Sequence, residues 1–226
     1  MSSPWLDVPL ADYEGHMSLP EIAQAQMIAD HFEALLREHA PPSLAFIGCA
    51  GGNGFDRIDP AVTTRVVGVD INPAYIAATR SRHAERLPGL ELYSGDIQYP
   101  AVSFDPVDFI YAALVLEYCQ VAQTLGRLTL QLAPGGVLSL LLQLPCPDLA
   151  PFSPSPFSSL ELLMPSHRLK SPAEVQAAAE SLGLRLISSD RLALPSSKHF
   201  LSLSFRQPAG SPRSHRPAAR KSSRGV

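Results

Sequence analysis

The chain has 226 residues, 46% of them hydrophobic, and a formal charge of −3. A chain of this length fits one domain with a tail and buries enough apolar surface to need no disulfide staples. Arg213, Arg216, Arg220, Lys221 and Arg224 crowd the end, so 13 of the 18 basic residues face all 21 acids and the remainder carries −8, which disfavours nucleic acid as a partner because phosphates need clustered Lys and Arg.

The opening residues, Met1-Ser2-Ser3-Pro4-Trp5-Leu6-Asp7, hold neither a basic run nor an apolar one, so no secretory leader is expected. Ile22, Ala25, Ala29, Phe32, Leu35 and Leu36 recur at helical spacing and predict a helix over 18–39, with Ser18 and Glu21 as a capping box and Pro41-Pro42 as its stop. Residues 1–43 are thus a helical segment able to serve as a lid. A buried strand over 44–48 leads into the glycine-rich turn Gly48-Cys49-Ala50-Gly51-Gly52-Asn53-Gly54, which is expected to open a helix. A second strand over 65–70 ends in Asp70. The three cysteines, Cys49, Cys119 and Cys146, share no metal-ligand spacing, which points to reduced thiols in a cytoplasmic protein without a metal site.

Asn72-Pro73 starts a helix that Pro88-Gly89 stops, and a short third strand over 90–94 ends at Gly95-Asp96. A fourth strand follows Phe104 to Ala112, a helix over 121–132 ends at Pro134-Gly135-Gly136, and 137–144 forms a continuous apolar strand of the kind covered on both faces. That run is the richest in apolar residues and is far too short to span a bilayer, so no membrane segment is expected. Residues 145–172 are rich in proline and serine around Leu160-Glu161-Leu162-Leu163-Met164, a placement beyond a strand end that suits substrate contacts. A last helix over 172–182 precedes two strands, 184–188 and 200–205, whose short connection through Leu194 to Lys198 suits an antiparallel hairpin. Lys198-His199 reads as edge charge. The basic stretch 207–226 cannot bury a core and is expected to be disordered.

Four pieces in order, Ile47 to Gly54, Val69-Asp70-Ile71-Asn72-Pro73, Ser94-Gly95-Asp96-Ile97 and Leu132 to Leu138, resemble a class I S-adenosylmethionine-dependent methyltransferase. Tyr13-Glu14-Gly15-His16-Met17 and the stretch Asp108 to Tyr118 are similar to small bacterial members of that family. The resemblance implies a doubly wound Rossmann-like α/β fold over 44–206, with seven strands and the last one antiparallel. It implies S-adenosylmethionine as cofactor, contacted by Gly48, Cys49, Ala50, Gly52, Asn53, Asp70, Ile71, Asp96, Ile97 and Ala112. Asp70 would take the ribose hydroxyls and Asp96 the adenine amine. The sequence departs from the family at Phe46, where many members have an acid, and at Ala50, where they have glycine.

Methyl transfer to a small organic acceptor by in-line displacement needs alignment and exclusion of water, and no nucleophilic side chain. For a hydroxyl or acidic-carbon acceptor a base is useful, and His16, Glu117 and Tyr13 are the candidates, with His167 a further choice. The acidic body favours a neutral or cationic acceptor. Two other readings share the glycine-rich turn: an NAD-dependent oxidoreductase, and a non-catalytic scaffold of the same fold. Gly48 to Asn53 lacks the G-x-G-x-x-G register, which counts against the first. Oligomeric state is open at this level.

Overall fold

A computed structural model describes residues 3–146, 149–194 and 198–210. Seven strands form one sheet: β1 (Ser43–Ile47), β2 (Arg65–Asp70), β3 (Leu90–Ser94), β4 (Val107–Ala113), β5 (Leu132–Gln143), β6 (Arg185–Ala193) and β7 (His199–Arg206). Their order is β3-β2-β1-β4-β5-β7-β6. The first five pair in parallel, whereas β7 runs antiparallel to both β5 and β6. The fold expected from the sequence is therefore present, including its antiparallel last strand.

Each face of the sheet buries alternate residues of the same strands, as a period of two requires. Ala45, Ile47, Val67, Val69, Ile110 and Leu138 pack on one side against helices α4 (Val121–Leu130) and α5 (Pro172–Ser181). Leu44, Phe46, Val66, Phe109 and Tyr111 pack on the other against α2 (Gln24–His39) and α3 (Pro73–His83). Full burial of one such side chain stabilises the fold by roughly 1.5–3 kcal/mol.

Three local expectations fail for identifiable reasons. The helix predicted over 18–39 begins only at Gln24, as α2, because Ile22 and Ala23 turn back onto the Leu19 carbonyl and Ala23 takes a left-handed φ of 50°; a separate helix, α1 (Leu10–Met17), precedes it. Ser18 ends α1 by donating its N–H to Glu14 and His16, so it caps no helix start. The glycine-rich turn opens no α-helix either. Gly52 and Gly54 sit at φ 86° and 84°, and the chain passes through tight turns to a single 3₁₀ turn at Phe55–Arg57. The sheet face left uncovered there is filled by α2, whose Phe32 meets Phe46 edge to face at 5.1 Å.

The predicted edge charge at Lys198-His199 is also misplaced, since β7 lies inside the sheet and the edge is β6. The serines that alternate along β7 face protein: Ser204 bonds Ser139 at 3.1 Å and Ser202 meets His31 Nε2 at 3.0 Å. Gln207, placed by the sequence in the tail, exchanges backbone bonds with Gly135 and Gly136 and so extends the sheet. Residues 211–226, the rest of that tail, lie outside the described residues, as do Pro195, Ser196 and Ser197 of the hairpin connection. Among the described residues no helix is long and apolar enough to cross a membrane, and no three His, Cys, Asp or Glu side chains gather as a metal would need.

Candidate active site

At the carboxyl ends of β1 to β4 the strand order reverses between β1 and β4, the place where open α/β sheets leave a crevice. A cavity of about 720 Å³, counted to its open mouth, fills that crevice. Gly48 and Ala50 from the turn, Asp70 and Ile71 from the end of β2, and Asp96 and Ile97 from beyond β3 all line it. The backbone must pass closely here: at Gly48, with φ 69°, a Cβ would stand 2.5 Å from a Val115 methyl.

Asp70 is held as a fixture of this crevice. Its Oδ2 accepts the Ala50 N–H and its Oδ1 the Asn72 N–H, both at 2.9 Å. Asn72 in turn caps α3 by accepting the Ala74 N–H at 2.9 Å, so the two polar residues divide the tasks. Each carboxylate oxygen retains a lone pair for a ligand hydroxyl. Burial pushes the Asp70 carboxyl up to about 6, against the pull of its backbone donors. Asp96 accepts the Gln98 N–H at 2.9 Å in a local turn and lines the cavity as well.

Four of the predicted contact residues stand elsewhere. Cys49 points its thiol into the core beside Gly68, and burial raises its pKa well above the usual range. Gly52 packs under His83, Asn53 donates to the Ala25 carbonyl at 2.9 Å, and Ala112 is core, with Ala113 lining the cavity in its place. Strand alternation explains the last shift: residues at the end of β4 face opposite sides, and the sequence alone did not fix which.

Aromatic residues that the sequence did not assign to the cofactor complete the enclosure. Trp5, Tyr13, Tyr75 and Tyr118 line the cavity. Trp5 meets Tyr118 edge to face at 5.0 Å and Tyr13 at 5.5 Å, and Tyr13 stacks on Tyr75 at 6.1 Å. The amino-terminal segment is fastened over the crevice, with Asn72 Nδ2 donating to the Trp5 carbonyl at 2.9 Å and Tyr75 to that of Val8 at 3.0 Å. The signals the sequence offered were Trp5, the chain's only tryptophan, and Tyr13, already a candidate base in a segment able to serve as a lid.

A second cavity, of about 560 Å³, adjoins the first and shares Trp5, Tyr13, Leu114 and Tyr118 with it. Leu114 holds a left-handed φ of 56°, a strained state for a branched side chain and one that collects at functional sites. His16, Gln143, Phe152, Leu160, Leu163, His167 and Lys198 supply most of the other walls. The 145–172 segment thus reaches this cavity, and so does the lysine that the sequence had placed at an edge.

Of the three candidate bases, the structure brings two to the cavities. His16 lines the second, stacked on Phe152 at 5.9 Å; burial, with Lys198 nearby, lowers its pKa and leaves a neutral imidazole. Its Nδ1 is buried with no hydrogen-bond partner among the described residues. Tyr13 lines both cavities, but burial raises its phenol far above neutral pH, so it acts as a hydroxyl and not as a base. Glu117, the third candidate, lines neither cavity. It is 1% exposed, accepts the Gln143 N–H at 2.9 Å, and lines a separate cleft with Lys170 and Glu174. Burial pushes its carboxyl up to about 7.

Residues 46–136 match a family described as a methyltransferase domain. The N-methyltransferase NodS from Bradyrhizobium japonicum WM9, solved with S-adenosyl-L-homocysteine, superposes at a TM-score of 0.62 with 19% identity, covering 84% of this chain and 88% of that one. The chain has the fold of the class I methyltransferases. Geranyl diphosphate C-methyltransferase from Streptomyces coelicolor A3(2) is similar at 0.63 and 15% identity, over 83% of this chain and 80% of that one. The [4+2]-cyclase SpnF is similar at 0.64 and 13% identity, over 80% and 81%. No curated protein matches the chain in sequence.

Within this fold the two departures have local explanations. Phe46 points to the face under α2, where it contacts Phe32, Phe55 and Tyr111, so an apolar residue suits that position. Ala50 carries a φ of 47°, a conformation that costs a non-glycine residue roughly 1–2 kcal/mol. Its N–H to Asp70 and the Thr79 hydroxyl on its carbonyl at 2.7 Å hold it there.

Proposed function

We propose that the chain transfers a methyl group from S-adenosylmethionine, bound in the first cavity, to a small-molecule acceptor in the second. The observation that carries the reading is the adjacency of the two: a crevice with Asp70 and Asp96 at neighbouring strand ends, opening through Trp5, Tyr13, Leu114 and Tyr118 onto an aromatic chamber. A carboxylate suits ribose hydroxyls, and the turn at Gly48 and Ala50 offers backbone groups to an amino-acid end. No phosphate site is required for such a ligand.

The step is an in-line displacement. An acceptor lone pair forms a bond to the methyl carbon while the carbon–sulfur bond breaks and its electron pair returns to sulfur, giving a neutral thioether. For a hydroxyl acceptor the proton passes to His16, whose burial keeps the imidazole neutral and ready. Tyr13 and Tyr118 orient the acceptor, and the aromatic walls exclude water from the charged methyl donor. That both NodS and the geranyl diphosphate enzyme were solved with S-adenosyl-L-homocysteine supports the choice of cofactor.

Calorimetric titration with S-adenosylhomocysteine and with NAD tests the reading. Binding of the thioether alone is expected. Binding of NAD alone would overturn it in favour of an oxidoreductase, and binding of neither in favour of a scaffold.

A further inference from the structure

The acceptor cavity has an electrostatic character opposite to that of the chain around it. No Asp or Glu is among its described lining residues, yet Lys198 is there and only 7% exposed. Among the described residues its ammonium gives one hydrogen bond, to the Pro151 carbonyl at 2.9 Å, and an ammonium has three donors. The two histidines on the same walls do not balance or repel it, because burial keeps both neutral and drives His167 down to about 4. A nearly buried cation with no paired acid among the described residues is expensive to hold unless something brings the opposite charge. The Nδ1 of His16 is a second polar atom on this side without a partner among the described residues. Around these two groups the walls are Trp5, Tyr13, Tyr118 and Phe152, flat apolar surfaces that favour a planar body.

We propose that the acceptor is a small unsaturated or aromatic carboxylate, its anion on Lys198 and its hydroxyl toward His16. This reverses the neutral or cationic acceptor suggested by the overall charge, because the local field of one buried ammonium outweighs distant, screened surface acids. The fate of the hydroxyl rests on the methyl-transfer reading, whereas the preference for an anion does not.

The test is calorimetry on the full chain saturated with S-adenosylhomocysteine at pH 7.5, titrated with 4-hydroxybenzoate, 4-hydroxybenzamide and tyramine. The carboxylate is expected to bind at least tenfold tighter than the amide, with tyramine weakest. Lys198→Met should remove the difference between carboxylate and amide, Lys198→Arg should retain most of it, and both variants should bind S-adenosylhomocysteine as the parent does. Equal or tighter binding of amide or amine, an unchanged preference in Lys198→Met, or no binding of any of the three to a protein that does take S-adenosylhomocysteine would each overturn the proposal. The parent series decides the matter even where Lys198→Met folds poorly. A carboxylate preference in a protein that ignores S-adenosylhomocysteine would uphold this inference and sink the methyl-transfer reading.

Discussion

The two cavities touch but are built differently. The first is made mainly by strand ends and the turn between them, so backbone geometry sets its shape, and two aspartates, each bonded to nearby backbone N–H groups, set its polarity. The second is made by segments that are far apart in sequence: α1, the loop after β5 and the residue entering β7. Its groups are held by packing, with Val8, Leu160 and Leu163 forming a small core of their own. A scaffold that fixes one ligand and loops that choose another is an efficient division, since loops vary without disturbing the sheet.

Four experiments would break or sharpen that contrast. The largest effect is expected at the second cavity, where His16→Gln should slow turnover of a hydroxyl acceptor by roughly 10²–10⁴-fold while S-adenosylhomocysteine affinity, read by calorimetry, stays put. An equal loss in both would mean that the cavities are not separable. At the first, Asp70→Asn should weaken S-adenosylhomocysteine roughly 100-fold, as expected for two charge-assisted bonds made neutral. Asn also keeps only one of the two backbone acceptors, so a lower melting temperature is expected alongside, and full retention of affinity would place the ribose elsewhere.

The third concerns pH. Ligand hydroxyls favour the ionised Asp70, whose carboxyl stands at about 6, so affinity should be flat above that pH and fall by up to tenfold per unit below it. Stability of the unliganded chain runs the other way. Asp70 and Glu117 both titrate higher in the fold than they would unfolded, so the native state binds more protons between about pH 4 and 7, and melting temperature should fall as pH rises through that window. Glu117→Gln should flatten part of that slope. The smallest effect is Ala50→Gly, which releases the left-handed strain and loses some rigidity of the unfolded chain, for a net gain of about 0.5–1 kcal/mol in a denaturant melt.

The same contrast explains what could be read from the sequence. Arg65–Asp70 and Leu90–Ser94 are strands where the apolar runs and their bounding residues placed them, and Asn72 caps α3 as its pairing with proline suggests. Asp70, Asp96 and Gly48 were accessible because each sits where a strand ends, and local sequence marks strand ends. Lys198 was not, since no local pattern distinguishes a residue that folds over a cavity from one at a sheet edge, whereas His167 and Phe152 lie in the 145–172 segment that the sequence placed beside substrate. The missing helix after β1 is an intermediate case: the glycines announced a turn, but whether the next residues coil or kink depended on α2 occupying the adjacent face.

Trp5, Tyr13, Leu114 and Tyr118 belong to both cavities at once. Any ligand that settles this partition from one side therefore changes what the other side offers. Occupancy of the two chambers should be thermodynamically linked, and the factor by which S-adenosylhomocysteine alters acceptor affinity must equal the factor by which acceptor alters that of S-adenosylhomocysteine.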